Sequence, residues 1–206
     1  MSESNEDPRA AHDPIAEPEA GEATALLARL ESGESGASEA LLPLVYDQLR
    51  SIAASYFRRE RRDHTLEPTA LVHEAYLKLI RAENQGWRGR SHFAAVASRA
   101  MRQILQNHAE AKVALKRGGD GQRVPLDNMT IVNPGVGAVD VVELSDSLTK
   151  LAAADERQAQ IVEMKFFTEL SNEQIAEVLD VSSRTVERSW RSARAWLNSE
   201  LSNSSE

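Results

Sequence analysis

The sequence predicts an all-α protein, two small helical domains joined by a flexible linker. Three observations predict it. Apolar residues recur at helical spacing from Leu41 to Leu105 and again from Val141 to Leu197. Between these stretches, LKRGGDGQRVPLDNMTIVNPGVGA (115–138) holds five of the ten Gly and two Pro without a helical period. That is the composition of a tether carrying at most one short extended piece. No strand alternation or internal repeat interrupts the pattern.

The first 20 residues carry three Pro and six acids and few large apolar groups. They cannot bury enough surface to offset the entropy of ordering, so residues 1–21 are expected to be a disordered acidic tail. The first domain, 22–114, opens on a weak helix near Ala23, with Leu26, Leu27 and Leu30 on one side, before the ESGESGAS break at 31–38. Leu41, Leu42, Val45, Leu49, Ile52, Ala53 and Tyr56 then mark one face of a second helix. Pro43 belongs near its start, where a missing N–H costs least. The cluster Arg58, Arg59, Arg61 and Arg62 ends it.

A helix over about 67–82 buries Leu71, Val72, Ala75, Tyr76, Leu79 and Ile80 and turns Glu74, Lys78 and Arg81 to the opposite face. Another, over about 91–112, buries Phe93, Val96, Ala97, Ala100, Met101, Ile104 and Leu105. Its outward positions are Arg99, Arg102, Gln103, Gln106 and Asn107. After the linker, taken as 115–140, a second domain spans 141–201, ahead of a short tail at 202–206. Leu144, Leu148 and Leu151 begin its first helix, and Ile161, Val162, Met164, Phe166 and Phe167 belong to the next.

The most informative stretch is LSNEQIAEVLDVSSRTVERSWRSARAWL (170–197). Ser171 with Gln174 is a capping box, and Leu170 with Ile175 its hydrophobic staple. Val181, Ser182 and Val186 repeat the arrangement a few residues on. Only Leu179-Asp180-Val181 separates the two helices, and Asp180 tolerates the left-handed conformation such a turn needs. Two helices over so tight a turn make a helix-turn-helix. In the second helix Val186, Trp190, Ala193 and Leu197 face inward. Ser183, Arg184, Thr185, Glu187, Arg188 and Arg191 are the candidate DNA contacts, gathered toward the N-terminus, where a recognition helix meets base edges. Arg pairs bidentately with guanine and Glu accepts from cytosine N4, and a good bidentate pair discriminates by about 1–3 kcal/mol.

Charge agrees with an anionic partner once it is divided along the chain. The net charge of −8 hides a segment, 41–117, with 14 bases against seven acids, behind residues 1–40 with two bases against ten acids. Such asymmetry points first to nucleic acid, with a solvated basic surface as the alternative.

Other classes are excluded in turn. The chain of 206 residues has no Cys, hence no disulfide scaffold, thiol nucleophile or thiolate metal site, which fits a reducing compartment. No apolar run approaches the roughly 18 residues of a membrane span. The acidic start lacks the order of a secretory signal, so a cytoplasmic location is expected. His73-Glu74 would need His at 77 for a zinc-protease motif, but that residue is Leu77. Arg117-Gly118-Gly119-Asp120-Gly121 lacks the Gly-Lys-Ser/Thr of a phosphate loop. No catalytic residue, metal site or cofactor is expected, and the chain is not read as an enzyme.

HTLEPTALVHEAYLKLI (64–80) followed by WRGRSHFAAVASRAMRQILQNHAEAK (87–112) resembles region 2 of bacterial RNA polymerase sigma factors of the extracytoplasmic-function (ECF) type. LTKLAAADERQAQIVEMKFFTELSNEQIAEVLDVSSRTVERSWRSARAWL (148–197) resembles their region 4. The likeness covers roughly 22–114 and 141–201, in the family's order and with its linker between. It implies a factor that binds core RNA polymerase, through the β′ clamp helices and the β flap, and directs initiation at promoter DNA. It also admits an anti-sigma factor as a partner.

By the same resemblance, His73, Glu74, Lys78 and Arg81 form the polymerase-binding face, Glu74–Lys78 being otherwise an ordinary i,i+4 pair. Trp87, Arg88 and Arg90, in the loop that captures an unstacked base, read the −10 element together with Arg99, Arg102, Gln103, Gln106 and Asn107. Trp87 either stacks on that base or plugs the core beneath the loop. The recognition helix reads the −35 element. The chain departs from the family's commonest pattern at His73, where Gln is frequent, at Asp180, where Gly is frequent, and at Glu187, which lowers the recognition helix's charge. A stand-alone LuxR-like regulator would share the helix-turn-helix, but would leave the basic first domain and its Trp87–Arg90 loop unexplained.

Overall fold

A computed structural model describes residues 17–57, 67–82, 86–117, 130–133 and 137–203. Helices α1 (Glu17–Glu31), α2 (Ala37–Phe57), α3 (Pro68–Arg81) and α4 (Arg90–Arg117) form the first half. A hairpin of β1 (Thr130–Asn133) and β2 (Gly137–Asp140) follows, then α5 (Val141–Ala154), α6 (Glu156–Phe167), α7 (Asn172–Leu179) and α8 (Ser183–Asn203). The architecture is all-α, as the periodicity predicts.

The predicted stripes are the buried ones, with Leu30, Leu42, Ile80 and Val96 only partly buried at their edges. Leu41, Val45, Leu49, Ile52 and Tyr56 of α2 meet Leu71, Val72 and Leu79 of α3 and Phe93, Ala97, Met101 and Ile104 of α4. Leu26 and Leu27 of α1 close the same core. In the second half Leu144, Leu148, Ile161, Phe167, Ile175, Val186, Ala193 and Leu197 lie inward. Fully burying each such Val, Leu, Ile, Met or Phe side chain is worth about 1.5–3 kcal/mol. The two halves are not held apart: α2 and α4 pack on α6, and α4 also packs on α5 and α7, so one continuous apolar cluster runs through both.

Several local expectations are corrected. Residues 17–21, assigned to the disordered tail, form the first turns of α1. Pro18 stands at its second position, where no N–H is required. Helix α2 begins at Ala37 rather than next to Pro43, which lies inside it. Ala37 and Leu41 are fully buried, and their burial carries the helix through the Pro despite one lost hydrogen bond. Helix α4 runs to Arg117, past the expected end near residue 112. Within the stretch read as a slack linker, β1 and β2 pair antiparallel from Thr130↔Asp140 to Asn133↔Gly137. The expected disorder of 1–16, the Arg58–Arg62 cluster, linker residues 118–129 and 134–136, and tail residues 204–206 lie outside the described residues. No described helix is long and apolar enough to cross a membrane.

Candidate nucleic-acid interface

The helix-turn-helix is built as its local chemistry requires. Ser171 Oγ accepts from Gln174 N at 3.2 Å, and Gln174 Oε1 accepts from Ser171 N at 2.8 Å, closing the capping box. Asp180 ends α7 in the left-handed region at φ 53°, and the N–H of Val181 returns to Ala176 O at 3.0 Å. Ser182 then caps α8, its Oγ accepting from Thr185 N at 3.2 Å. Leu170, Ile175 and Val186 are buried beneath these caps. The turn is therefore fixed by short-range bonds, and α8 is aimed by its apolar face.

Val186, Ala193 and Leu197 are fully buried and Trp190 partly so, its ring set edge-on to Phe166 at 5.7 Å. Arg184, Glu187, Arg188 and Arg191 are exposed, with Ser183 and Thr185 half-buried beside them. Together with Ser182 they line one open concave surface at the start of α8. Asn172 Nδ2 of α7 reaches Glu187 Oε1 at 3.5 Å, so Glu187 has a neighbouring donor. Behind it, burial pulls the Lys165 ammonium below its ordinary pKa while Glu173 and Glu187 pull it back up.

The second predicted surface, loop 86–89 with α4, is anchored from α1. Gly86 N donates to Glu31 Oε1 at 2.6 Å. Gly89 has φ 107°, a conformation that favours glycine, and a Cβ there would sit tightly, 3.3 Å from Thr24 Oγ1. Trp87 is half-buried, tilted on Phe93 at 5.4 Å and edge-on to His92 at 5.9 Å. It thus packs on the core while staying partly exposed. Arg90 Nε donates to Gln48 Oε1 of α2 at 3.0 Å. Arg88 N donates to His92 Nδ1 at 3.4 Å. Burial first, then Arg88 and Arg99, hold the His92 pKa below its usual value.

The outward residues of α4 do not all face solvent. Arg102 Nε meets Glu163 Oε1 of α6 at 2.9 Å, and Arg99 Nε lies 3.9 Å from Glu163 Oε2. Glu163's side chain is only 7% exposed, against 18% for Arg102 and 54% for Arg99. Arg102 Nη1 also donates to Ser145 Oγ of α5 at 3.3 Å, and Gln106 Nε2 bonds the same hydroxyl. Arg88 Nη2 donates to Val178 O of α7 at 2.6 Å. Gln103 and Asn107 remain exposed and bond each other at 3.3 Å. Removing one partner from a buried ion pair such as Arg102–Glu163 costs about 3–5 kcal/mol.

On α3, His73, Glu74, Lys78 and Arg81 are exposed on one face. Glu74 Oε2 pairs with His108 Nε2 of α4 at 3.3 Å. The sequence reading missed two residues. Leu77, 46% exposed, is an exposed large hydrophobic set in the middle of that face, in a concavity with Glu74, Lys78, Arg81 and Ile104. Its signal is its place off the buried stripe. The other is Glu163, a carboxylate between the buried Val162 and Met164, which a run of apolar neighbours concealed.

A family model described as ECF sigma factor matches residues 20–203. No curated protein matches the chain. Nearly the whole polypeptide, with its capped helix-turn-helix and four-helix first half, belongs to the ECF sigma factor family, whose members act in transcription initiation and bind DNA.

Proposed function

We propose that the chain binds core RNA polymerase and gives it its promoter choice. The observation that carries this is the rigid start of α8: Asp180 in the left-handed turn, Ser182 as cap, and Arg184, Arg188 and Arg191 exposed together. The exposed arginines and the helix N-terminus suit phosphates and guanine edges, so α8 reads the −35 element with Ser183, Arg184, Thr185, Glu187, Arg188 and Arg191.

The loop and α4 read the −10 element. The partly exposed Trp87 offers a platform for an unpaired base, worth about 1–3 kcal/mol, and Arg88, Arg90, Arg99, Arg102, Gln103, Gln106 and Asn107 hold the strand around it. No catalytic group is needed to open DNA: binding of the extruded base offsets unpairing, a few kcal/mol per base. On α3, His73, Glu74, Lys78 and Arg81 surround the apolar Leu77, a face suited to the β′ clamp helices, while the second half meets the β flap. This role is performed in the cytoplasm and needs no cofactor.

A LuxR-like regulator is the rival, and it would carry a ligand-binding or phosphoacceptor domain where this chain has four packed helices, α1–α4. Replacing Arg184 and Arg188 by Glu tests the reading. Promoter-specific transcription is expected to vanish while core polymerase binding persists; loss of polymerase binding instead contradicts the assigned roles.

A further inference from the structure

Helix α1 meets neither DNA nor polymerase in the sigma-factor reading, yet it holds the loop that carries Trp87. At one end of the loop Gly86 N donates to Glu31 Oε1 at 2.6 Å. At the other end Gly89 is buried at φ 107°, with only 3.3 Å between Thr24 Oγ1 and the place a Cβ would take. Thr24 and Glu31 are seven residues apart, so they share one face of α1, about 10 Å from each other along its axis. Three residue steps from Gly86 to Gly89 reach about the same distance when extended. One helix face therefore meets the loop at both ends.

The clamp is itself fixed. Ala23, Leu26 and Leu27 bury α1 in the core. Around Glu31, Arg29 donates twice to Glu34, from Nε at 2.9 Å and Nη2 at 2.6 Å, and Glu34 N returns to Arg29 O at 3.0 Å, which closes the turn into α2. The loop needs such support. Gly86 and Gly89 both have positive φ, and glycine loses more conformational freedom on ordering than any other residue. A loop that ordered only when a base arrived would bind it more weakly, because that entropy would be lost at the moment of binding. The carboxylate of Glu31 would by itself repel phosphate; what it contributes here is an acceptor for a loop N–H.

We infer that Glu31 is a positioning residue for base capture: with Thr24 at the far end, it pre-orders the Gly86–Gly89 loop so that Trp87 stands ready for an unpaired base of the −10 element. The inference rests on the sigma-factor reading, which makes this loop the −10 reader, and adds to it a helix that touches no DNA. Glu31 acts through Gly86 as a hydrogen-bond acceptor, so an uncharged oxygen in the same place serves as well. Selection at the −35 element and docking on core polymerase do not depend on it.

The test is run-off transcription by core polymerase on a pool of random promoters, with enrichment scored separately at the two elements. Glu31→Ala should weaken selection at the downstream element about fivefold, the scale of one hydrogen bond, and leave the upstream element unchanged. Glu31→Gln keeps the acceptor and should keep the selection. In a Trp87→Ala background Glu31→Ala should add no further loss, because both changes act through the same captured base. Hydrogen exchange of the Gly86 amide in the free chain gives a readout without polymerase: Glu31→Ala should speed it about fivefold, and Glu31→Gln should not. Unchanged downstream selection, equal loss at both elements, losses that add in the double variant, or a Glu31→Gln chain as impaired as Glu31→Ala overturns the inference. So does unchanged Gly86 exchange in a Glu31→Ala chain with native circular dichroism. A wild-type chain that selects no templates would instead sink the sigma-factor reading, and the Gly86 exchange would still judge the clamp.

Discussion

Tyr56 of α2 and Phe167 at the end of α6 stack across the two halves, with ring centroids 4.2 Å apart and planes 12° from parallel. Both are fully buried, and the Tyr56 hydroxyl donates to Ser98 O of α4 at 2.9 Å. One aromatic pair thus ties the first half's central helix to the second half, close to the Arg102–Glu163 ion pair. Burial, and next the negative charge of Glu163, push the Tyr56 phenol well above its ordinary pKa.

That shift predicts an alkaline loss of stability. The unfolded phenol ionises near pH 10, whereas the folded one keeps its proton to higher pH. Above about pH 10 the folded state therefore binds more protons, and stability falls as pH rises toward the folded value. Tyr76, pushed up to about 12 by burial, adds to the same decline. Tyr56→Phe should cost about 1 kcal/mol at neutral pH for the lost hydrogen bond and should flatten the alkaline fall. Denaturant unfolding followed between neutral and strongly alkaline pH checks both.

Asp180 carries the turn of the helix-turn-helix in a conformation that L-residues avoid. Asp180→Val should destabilise by about 1–2 kcal/mol, because a β-branched side chain crowds the following carbonyl. For a chain of this size each kcal/mol lowers the melting temperature by about 2–4 °C. Asp180→Gly should be tolerated or stabilising. Thermal unfolding by circular dichroism distinguishes the pair.

Leu77 is exposed amid charged neighbours, so Leu77→Asp should leave the melting temperature unchanged. If α3 docks on polymerase, the same substitution should weaken association with core at least about tenfold, the usual scale of a lost apolar anchor. Glu74→Ala with Arg81→Ala should weaken it as well. Fluorescence anisotropy of labelled chain titrated with core polymerase measures both, and unchanged binding would move the docking face elsewhere.

Much of this molecule was legible because its signals are local. The capping box at Ser171 and Gln174, the cap at Ser182 and the turn at Asp180 each depend on residues within a few positions, and the inward stripes of α2, α3 and α4 follow from one period. What sequence did not carry is long-range. Glu163 reads as one more charge on a helix until α4 is laid against it, and Arg99, Arg102 and Gln106 read as solvent-facing for the same reason. The strands TIVN and GAVD are too short to display an alternating period, so the hairpin passed as linker. Local cost argues for Pro43 at a helix start, whereas burial of Ala37 and Leu41 prevails in the structure. Trp87 reads in sequence as either a base platform or a core plug, and the structure shows its packing on Phe93.

The most direct measurement is run-off transcription by core RNA polymerase on a pool of random promoter sequences, with and without the purified chain, followed by sequencing of the transcripts. The account predicts that the chain selects templates sharing two short elements at a fixed spacing and that the pool stays unselected without it. Transcripts with the same start sites and sequences in both reactions would contradict it.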